Sequence, residues 1–291
     1  MKDISVKALA KINLGLDVVR KREDGYHEVR MVMQTIHLFD RLEISKNTSG
    51  EITMETNLSF LPTNENNLVY KAAKLLQDEF AIKDGVHVWL HKYIPVAAGM
   101  AGGSTDAAAV LYGMNQIFDL GLTREELMER GVKIGADVPY CIMRGTALAE
   151  GIGEKLSKLP PMVKCPVLIA KPQISVSTKF VYENLKLGSD MVHPDIDRLV
   201  ADIREKDLYK IAADMGNVLE TVTIPAYPVI ADIKDHMMEH GAVNAMMSGS
   251  GPTVFGLFDK EATAVEAYEE MKASGLAKQV YLTTIYNNRR K

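Results

Sequence analysis

The chain is poor in cysteine: Cys141 and Cys165 are the two in 291 residues. Two cysteines cannot staple a fold of this length, so a disulfide scaffold is excluded and a reducing, cytoplasmic setting is expected. No apolar run approaches the roughly 18 residues that a membrane helix needs. The first segment, MKDISVKALAKINLGL, is interrupted by Lys2, Asp3, Lys7 and Lys11, which removes the unbroken apolar stretch of a secretion signal. No membrane partner is therefore expected. A basic excess is also missing. The formal net charge of -4 argues against a nucleic-acid surface, which normally carries clustered positive charge. What is left is globular composition, 47% hydrophobic with 25% charged residues, which forces no part into disorder. The length suits two domains or one large one.

Along the chain, alternation in residues 6–10 and 13–18 predicts half-buried strands, and a turn at Arg22-Glu23-Asp24-Gly25 leads to an extended run over residues 29–44. Asn66-Asn67 cap an amphipathic helix reaching Phe80, with Leu68, Ala72, Leu75 and Leu76 on one face. A strand over 86–90 precedes a glycine-rich loop, and Ser104 opens a helix to about Phe118. Thr123-Arg124-Glu125-Glu126 is a capping box for the next helix. After a strand over 146–150, Leu159-Pro160-Pro161 is the strongest linker signal. Beyond it come a buried strand (167–170), helices between Thr178 and His240, a strand near 253–258, a helix near 262–273 and a closing strand over 279–285. Strands and helices mix without strict βαβ alternation, so the fold class expected is α+β in two domains, 1–160 and 161–291.

The loop and its helix read PVAAGMAGGSTDAAAVL, residues 95–111, with three glycines, six alanines and one charged side chain, Asp106. So little side chain in one place means that two backbones pass closely or that an anion approaches the main chain. A helix N-terminus offers unpaired N–H groups and partial positive charge; Gly99, Gly102 and Gly103 remove Cβ atoms along the approach, and Ser104 and Thr105 add hydroxyls. A Walker A loop is excluded, because no lysine precedes the hydroxyls. Glycine content alone leaves close packing and phosphate binding equally open, and charge to balance a phosphate must come from elsewhere in the chain.

Three segments together identify a resemblance. The run P-x-x-x-G-x-x-G-G-S-[ST] at Pro95 to Thr105 resembles the nucleotide loop of the GHMP kinases. A second glycine loop, residues 247–255 (MSGSGPTVF), is similar to that family's C-terminal motif. The N-terminal KALAKINLGLDVVRKREDGYHEV and Gly135-Ala136-Asp137-Val138-Pro139 resemble one branch, whose acceptor is a cytidine diphosphate sugar-alcohol. The family loop usually reads G-L-G-G-G-S-S; here Met100, Ala101 and Thr105 depart from it. The Ala101 methyl is compatible with a negative φ and strained at a positive one.

The resemblance implies a two-domain GHMP kinase fold with an N-terminal nucleotide-binding domain and a C-terminal α/β sandwich. It implies ATP with Mg2+ as the phosphoryl donor and small molecules as partners, in a monomer or homodimer. Asp137 matches the catalytic aspartate, suited to take a proton from a hydroxyl, and Lys11 the catalytic lysine. Read without the resemblance, Asp137 is a turn aspartate and Lys11 an exposed strand lysine. Pro95, Ala98, Gly99, Met100, Ala101, Gly102, Gly103, Ser104 and Thr105 match the ATP loop, with Asn67 at the adenine side, although helix capping also explains Asn67. Asn13, Tyr26 and His27 match the substrate side, where an aromatic stacks on cytosine and a histidine reads its edge. Thr178 and Tyr182 lie in a segment that supplies the opposite face, Phe180 competing with Tyr182. Ser248, Gly249 and Gly251 close the site near the substrate phosphates.

His236-Met237-Met238-Glu239-His240 also fits H-x-x-E-H, an inverted zinc-peptidase pattern. A helix with Met237 and Met238 turned inward accounts for the same residues. Two further readings stay open: a kinase for another small alcohol such as mevalonate or homoserine, and a catalytically silent nucleotide-binding relative.

Overall fold

The computed structural model describes residues 3–188 and 191–288, and the chain divides into two compact units built from interleaved segments. Two long strands, β1 (Asp3–Lys21) and β2 (His27–Asn47), contribute residues to each. The two half-buried strands predicted over residues 6–18 are one strand, because no breaker separates them and nearly every side chain from Ala8 to Leu16 is buried.

The first unit comprises the chain up to Ala10, Leu38–Val96 and Ala101–Met143. It holds β3 (Ile52–Thr56), α1 (Leu68–Glu79), β4 (Gly85–His91), α2 (Gly102–Ile117), α3 (Arg124–Val132) and α4 (Val138–Met143). β4 pairs antiparallel with residues 41–47 of β2 and parallel with β3. Asn67 caps α1 by accepting from Val69 N–H at 2.9 Å, and the capping box at Thr123 and Glu126 starts α3 as predicted. The α1 face Val69, Ala72, Ala73 and Leu76 is buried, as are Ala107, Ala108, Ala109, Val110 and Leu111 of α2. The alanine run lets α2 lie close to its neighbours: a Cβ on Gly113 would come within 2.4 Å of Ile44 Cδ1. α2 begins at Gly102, two residues before the expected start. Its sole charged side chain, Asp106, is 2% exposed.

The second unit comprises Lys11–His37, Ala97–Met100 and the chain from Arg144 onward. Its strands are β5 (Thr146–Gly151), β6 (Lys155–Lys158), β7 (Pro166–Lys171), β8 (Gly216–Asn217), β9 (Asn244–Met247), β10 (Val254–Leu257) and β11 (Gln279–Thr284). Its helices are α5 (Thr178–Asn184), α6 (Ile196–Glu205), α7 (Leu208–Ala213), α8 (Glu220–Ala226), α9 (Val229–Glu239) and α10 (Glu261–Ser274). One antiparallel sheet runs in the order β11-β7-β10-β9. Val167, Leu168, Ile169 and Ala170 of β7 are fully buried there, and Phe255 and Leu257 of β10 with them, each large side chain stabilising by about 1.5–3 kcal/mol. α9 and α10 pack on this sheet. Elsewhere in the unit, β5 pairs with residues 29–34 of β2 and β8 with Gly15 and Leu16 of β1.

Among the described residues, no helix is long and apolar enough to cross a membrane. Both cysteines are free thiols and buried, and burial pushes the Cys165 thiol up to about 12. Both side chains are shielded from solvent, so a thiol reagent should label them only on unfolding. Stoichiometric labelling in native buffer, counted by mass spectrometry, would contradict the burial.

Candidate active site

The glycine loop alternates backbone handedness. Ala97, Gly99 and Ala101 have φ of 50°, 70° and 56°, with intervening residues at negative φ. Such alternation turns successive N–H groups toward one side, the geometry of an anion-binding concavity. Each glycine has a different reason to be there. A Cβ on Gly99 would sit 2.1 Å from the Ser248 carbonyl oxygen, so two main chains are in contact at that point. At Gly102 a Cβ would come within 3.1 Å of Lys92 Nζ and 3.2 Å of Ile94 Cγ2. At Gly103 the nearest atom would be Leu68 Cδ1 at 3.5 Å, ordinary contact, and the residue is exposed. Packing explains the first two. The third leaves the start of α2 open, where the first-turn N–H groups have no intrahelical acceptor.

Ala101 is the N-cap of α2, with φ 56° and ψ 30° and no side-chain cap. Its methyl therefore stands in the left-handed region, the strained alternative. Ser104 is half-buried, and its Oγ lies 4.0 Å from where a Cβ on Gly135 would be. The loop hydroxyl and the segment carrying Asp137 are thus neighbours. The Thr105 hydroxyl is used differently: it donates to Leu9 O at 2.8 Å and the residue is 1% exposed, so it tethers the helix. Ala98 and Met100 are buried and can offer main chain only. Asn67 donates to Pro62 O besides capping α1, which accounts for both ends of its amide.

Asp137 is half-buried just before α4, its carbonyl accepting the helix's first hydrogen bond from Cys141 N–H. Among the described residues its carboxylate accepts no hydrogen bond, which leaves it available to a substrate proton. Lys11 is 5% exposed, not the exposed strand lysine of the bare sequence reading. Its Nζ donates to Asn13 Oδ1 at 2.6 Å, and its backbone N–H donates to Met100 O at 3.2 Å. A buried ammonium with an amide as its hydrogen-bond partner carries a desolvation penalty that an incoming anion relieves. Asn13 is fully buried, and its amide oxygen orients the Lys11 ammonium.

On the substrate side, Tyr26 is 61% exposed at the turn after β1, its N–H held by Asp24 Oδ1. The His27 and Tyr182 rings stand 5.0 Å apart at 38°. Burial and the charge of Lys21 lower the His27 pKa, so the ring is neutral near pH 7 with one donor and one acceptor, as a base edge requires. Of the two competing aromatics, Tyr182 meets His27, while Phe180 is 39% exposed. The second glycine loop rests on the first: Ser248 Oγ donates to Gly99 O at 3.0 Å, and a Cβ on Gly249 would come within 3.1 Å of the same oxygen. Thr178 Oγ1 and Ser250 Oγ are 2.8 Å apart. Gly251 has φ 86° and donates its N–H to Ser248 O.

Two family models match the chain, the GHMP kinases N terminal domain over residues 67–145 and the GHMP kinases C terminal over 199–277. A protein of Lachnospira eligens named 4-diphosphocytidyl-2-C-methyl-D-erythritol kinase is 57% identical over 286 residues, covering 98% of this chain and 99% of its own. The chain belongs to the GHMP kinases. A kinase of the same name from Lachnoclostridium phytofermentans is 56% identical, with 98% of each chain covered. The crystal structure of a 4-(cytidine 5'-diphospho)-2C-methyl-D-erythritol kinase superposes with a TM-score of 0.85 at 29% identity, covering 98% of this chain and all of that one.

For this GHMP kinase, the H-x-x-E-H pattern is a helix end. Among the described residues no three metal-ligating side chains converge, and the His236 and His240 rings stack at 4.2 Å. Met237 is fully buried but Met238 is 44% exposed. Only one of the two methionines faces inward, because neighbours on a helix point about 100° apart. Sequence reading missed Asn217, a buried amide that donates to Met247 O at 2.9 Å and Gly249 O at 2.8 Å and so fixes the second glycine loop. No local signal marks it, since both acceptors lie about thirty residues away.

Replacing Ala101 by Gly should remove left-handed strain and stabilise the protein by roughly 0.5–1 kcal/mol, the relief being partly offset by glycine's chain entropy. Gly99→Ala should do the reverse, costing more than about 3 kcal/mol because the methyl meets main chain. Denaturant midpoints test the pair, and a destabilised Ala101→Gly would refute the backbone assignment.

Proposed function

We propose that this GHMP kinase transfers the γ-phosphoryl group of ATP to the 2-hydroxyl of 4-diphosphocytidyl-2-C-methyl-D-erythritol, a step of isoprenoid biosynthesis. The observation that carries the reading is the 57% identity, across nearly the whole of both chains, to a kinase of that name. The alcohol-kinase class follows from the same relationship. Residues 1–160 serve as the ATP-binding region and 161–291 as its C-terminal partner; family models at 67–145 and 199–277 support the order along the chain, while residues 11–37, 97–100 and 144–160 pack within the second compact unit. Two buried free thiols support a cytoplasmic protein, and the reading takes it as a monomer or homodimer with no nucleic-acid partner.

In this mechanism, main-chain N–H groups at residues 99–104 and the start of α2 cradle the phosphates of ATP, with the Ser104 hydroxyl added. Asp137 accepts the proton of the acceptor hydroxyl as its oxygen forms the new bond to the γ-phosphorus and the bond to the β-phosphate oxygen breaks. Lys11, oriented by Asn13, supplies positive charge to the transferring group. Tyr26 and the His27–Tyr182 pair hold the cytosine. Magnesium fits as part of the donor, bound to the nucleotide's phosphates: an ion carried in that way keeps several waters and needs only one or two protein oxygens, consistent with no resident cage among the described residues.

An ATP-consumption assay over diphosphocytidyl-methylerythritol, mevalonate and homoserine tests the substrate: turnover confined to the first is expected, and preference for either of the others overturns it. Asp137→Asn should lower kcat by about 10²–10⁴-fold while ATP binding stays nearly intact; unchanged turnover removes Asp137 from its role. Tyr26→Ala should raise KM for the cytidine substrate by about tenfold, on the order of one base-stacking interaction, with little change for ATP. A matched rise in both constants would count against stacking.

A further inference from the structure

The main chain on both sides of the glycine loop is tied to one buried group of charges. Lys92 Nζ donates to Asp40 Oδ2 at 2.5 Å and to Asp106 Oδ2 at 2.8 Å, and all three side chains are under 5% exposed. Asp40 Oδ1 accepts the N–H groups of Tyr93 at 2.5 Å and Ile94 at 2.8 Å, so this carboxylate fixes the last residues before Pro95. Asp106 belongs to the opening of α2, immediately after the loop. Lys92 also packs under the first helical residue, 3.1 Å from where a Gly102 Cβ would stand. The entering and departing ends of the loop therefore share one ammonium.

Ionisable groups buried together are weak stabilisers compared with well-packed apolar side chains, so stability does not explain the cluster. A cradle made of backbone donors binds well only if its donors are already in place, because ordering them on binding subtracts from affinity. We propose that Lys92 and Asp106 are positioning residues for nucleotide binding, clipping the strand before the glycine loop to the helix after it so that the loop's N–H groups are held ready for phosphate. The proposal rests on reading residues 99–104 as the ATP loop.

Burial, reinforced by the neighbouring Asp40 and opposed by Lys92, raises the Asp106 carboxyl well above its ordinary value. Its Oδ1 has no hydrogen-bond partner among the described residues. Burial works to lower the Lys92 ammonium, but the two carboxylates outweigh it and hold it above its ordinary value. An amide at position 106 keeps an oxygen that can accept from Lys92 Nζ in the place of Oδ2, whereas alanine deletes the clip and still leaves Lys92 paired with Asp40.

The test compares the parent, Asp106→Ala and Asp106→Asn by calorimetric titration with ATP and by steady-state kinetics in both substrates. Asp106→Ala should raise Kd and KM for ATP by about tenfold or more, with KM for the acceptor alcohol within about twofold. Asp106→Asn should return the ATP constants to within about threefold of the parent. Hydrogen exchange in the ATP-free protein gives an independent readout: the Thr105 N–H, which donates to Ala101 O at 2.9 Å, should exchange faster in Asp106→Ala, with unchanged rates in β7 and β10. Unchanged ATP constants in Asp106→Ala, an equal rise in both KM values, an Asp106→Asn as impaired as the alanine variant, or unaltered exchange at Thr105 N–H would each overturn the clip. A parent with no saturable ATP binding would overturn the loop reading itself and the clip with it, whereas normal parent binding with an indifferent Asp106→Ala removes the clip alone.

Discussion

Where Gly99 meets the Ser248 carbonyl, a Cβ would stand at 2.1 Å, and most of the site's organisation depends on keeping that space empty. The contact sets the path of the first glycine loop, and the Ser248 hydroxyl reinforces it by donating to Gly99 O. Main chain so close to main chain leaves no room for any side chain at Gly99 itself. In the proposed function the cradle is made of N–H groups and a helix end, whose partial positive charge acts over about one turn. Full charges have to come from other segments, and Lys11 on β1 is buried beside an amide ready to serve.

The same constraint explains where the molecule holds local strain. Ala97 and Ala101 adopt left-handed backbone that alanine normally avoids. Strained backbone persists only when its surroundings over-determine it. Around this loop the surroundings are specific: Thr105 on Leu9, Lys92 between two aspartates, Asp40 on the two N–H groups before Pro95, and Asn217 beneath the second loop. These buried polar residues, together with the Gly99–Ser248 contact, give the loop a shape that its own small side chains could not specify.

In the proposed function, recognition of the acceptor uses a different set of forces. Tyr26 is presented at a turn with most of its ring in water, while His27 is desolvated enough to stay neutral and lies against Tyr182. Flat aromatic surface provides stacking area, and a neutral imidazole provides one donor and one acceptor. Neither feature uses the glycine loop, so in the proposed function nucleotide binding and choice of alcohol are separable.

By itself the sequence determined what is local. The Asn67 cap and the Thr123–Glu126 capping box are hydrogen bonds within three residues, and the strands at 86–90, 146–150 and 167–170 are period-two or unbroken apolar runs, so each was legible from neighbours alone. The loop motifs and Asp137 were legible as linear patterns. Tertiary structure decided what depends on partners far along the chain. Short elements such as α4, β6 and β9 are too brief to carry a periodic signal and exist because of what they pack against. Which group the Asn13 amide orients, which aromatic meets His27, and why one aspartate stands among the alanines of α2 are questions of tertiary contact. The sign of φ at Ala101 belongs with them, because alanine's intrinsic preference is for negative φ and only the surrounding contacts hold it in the left-handed region.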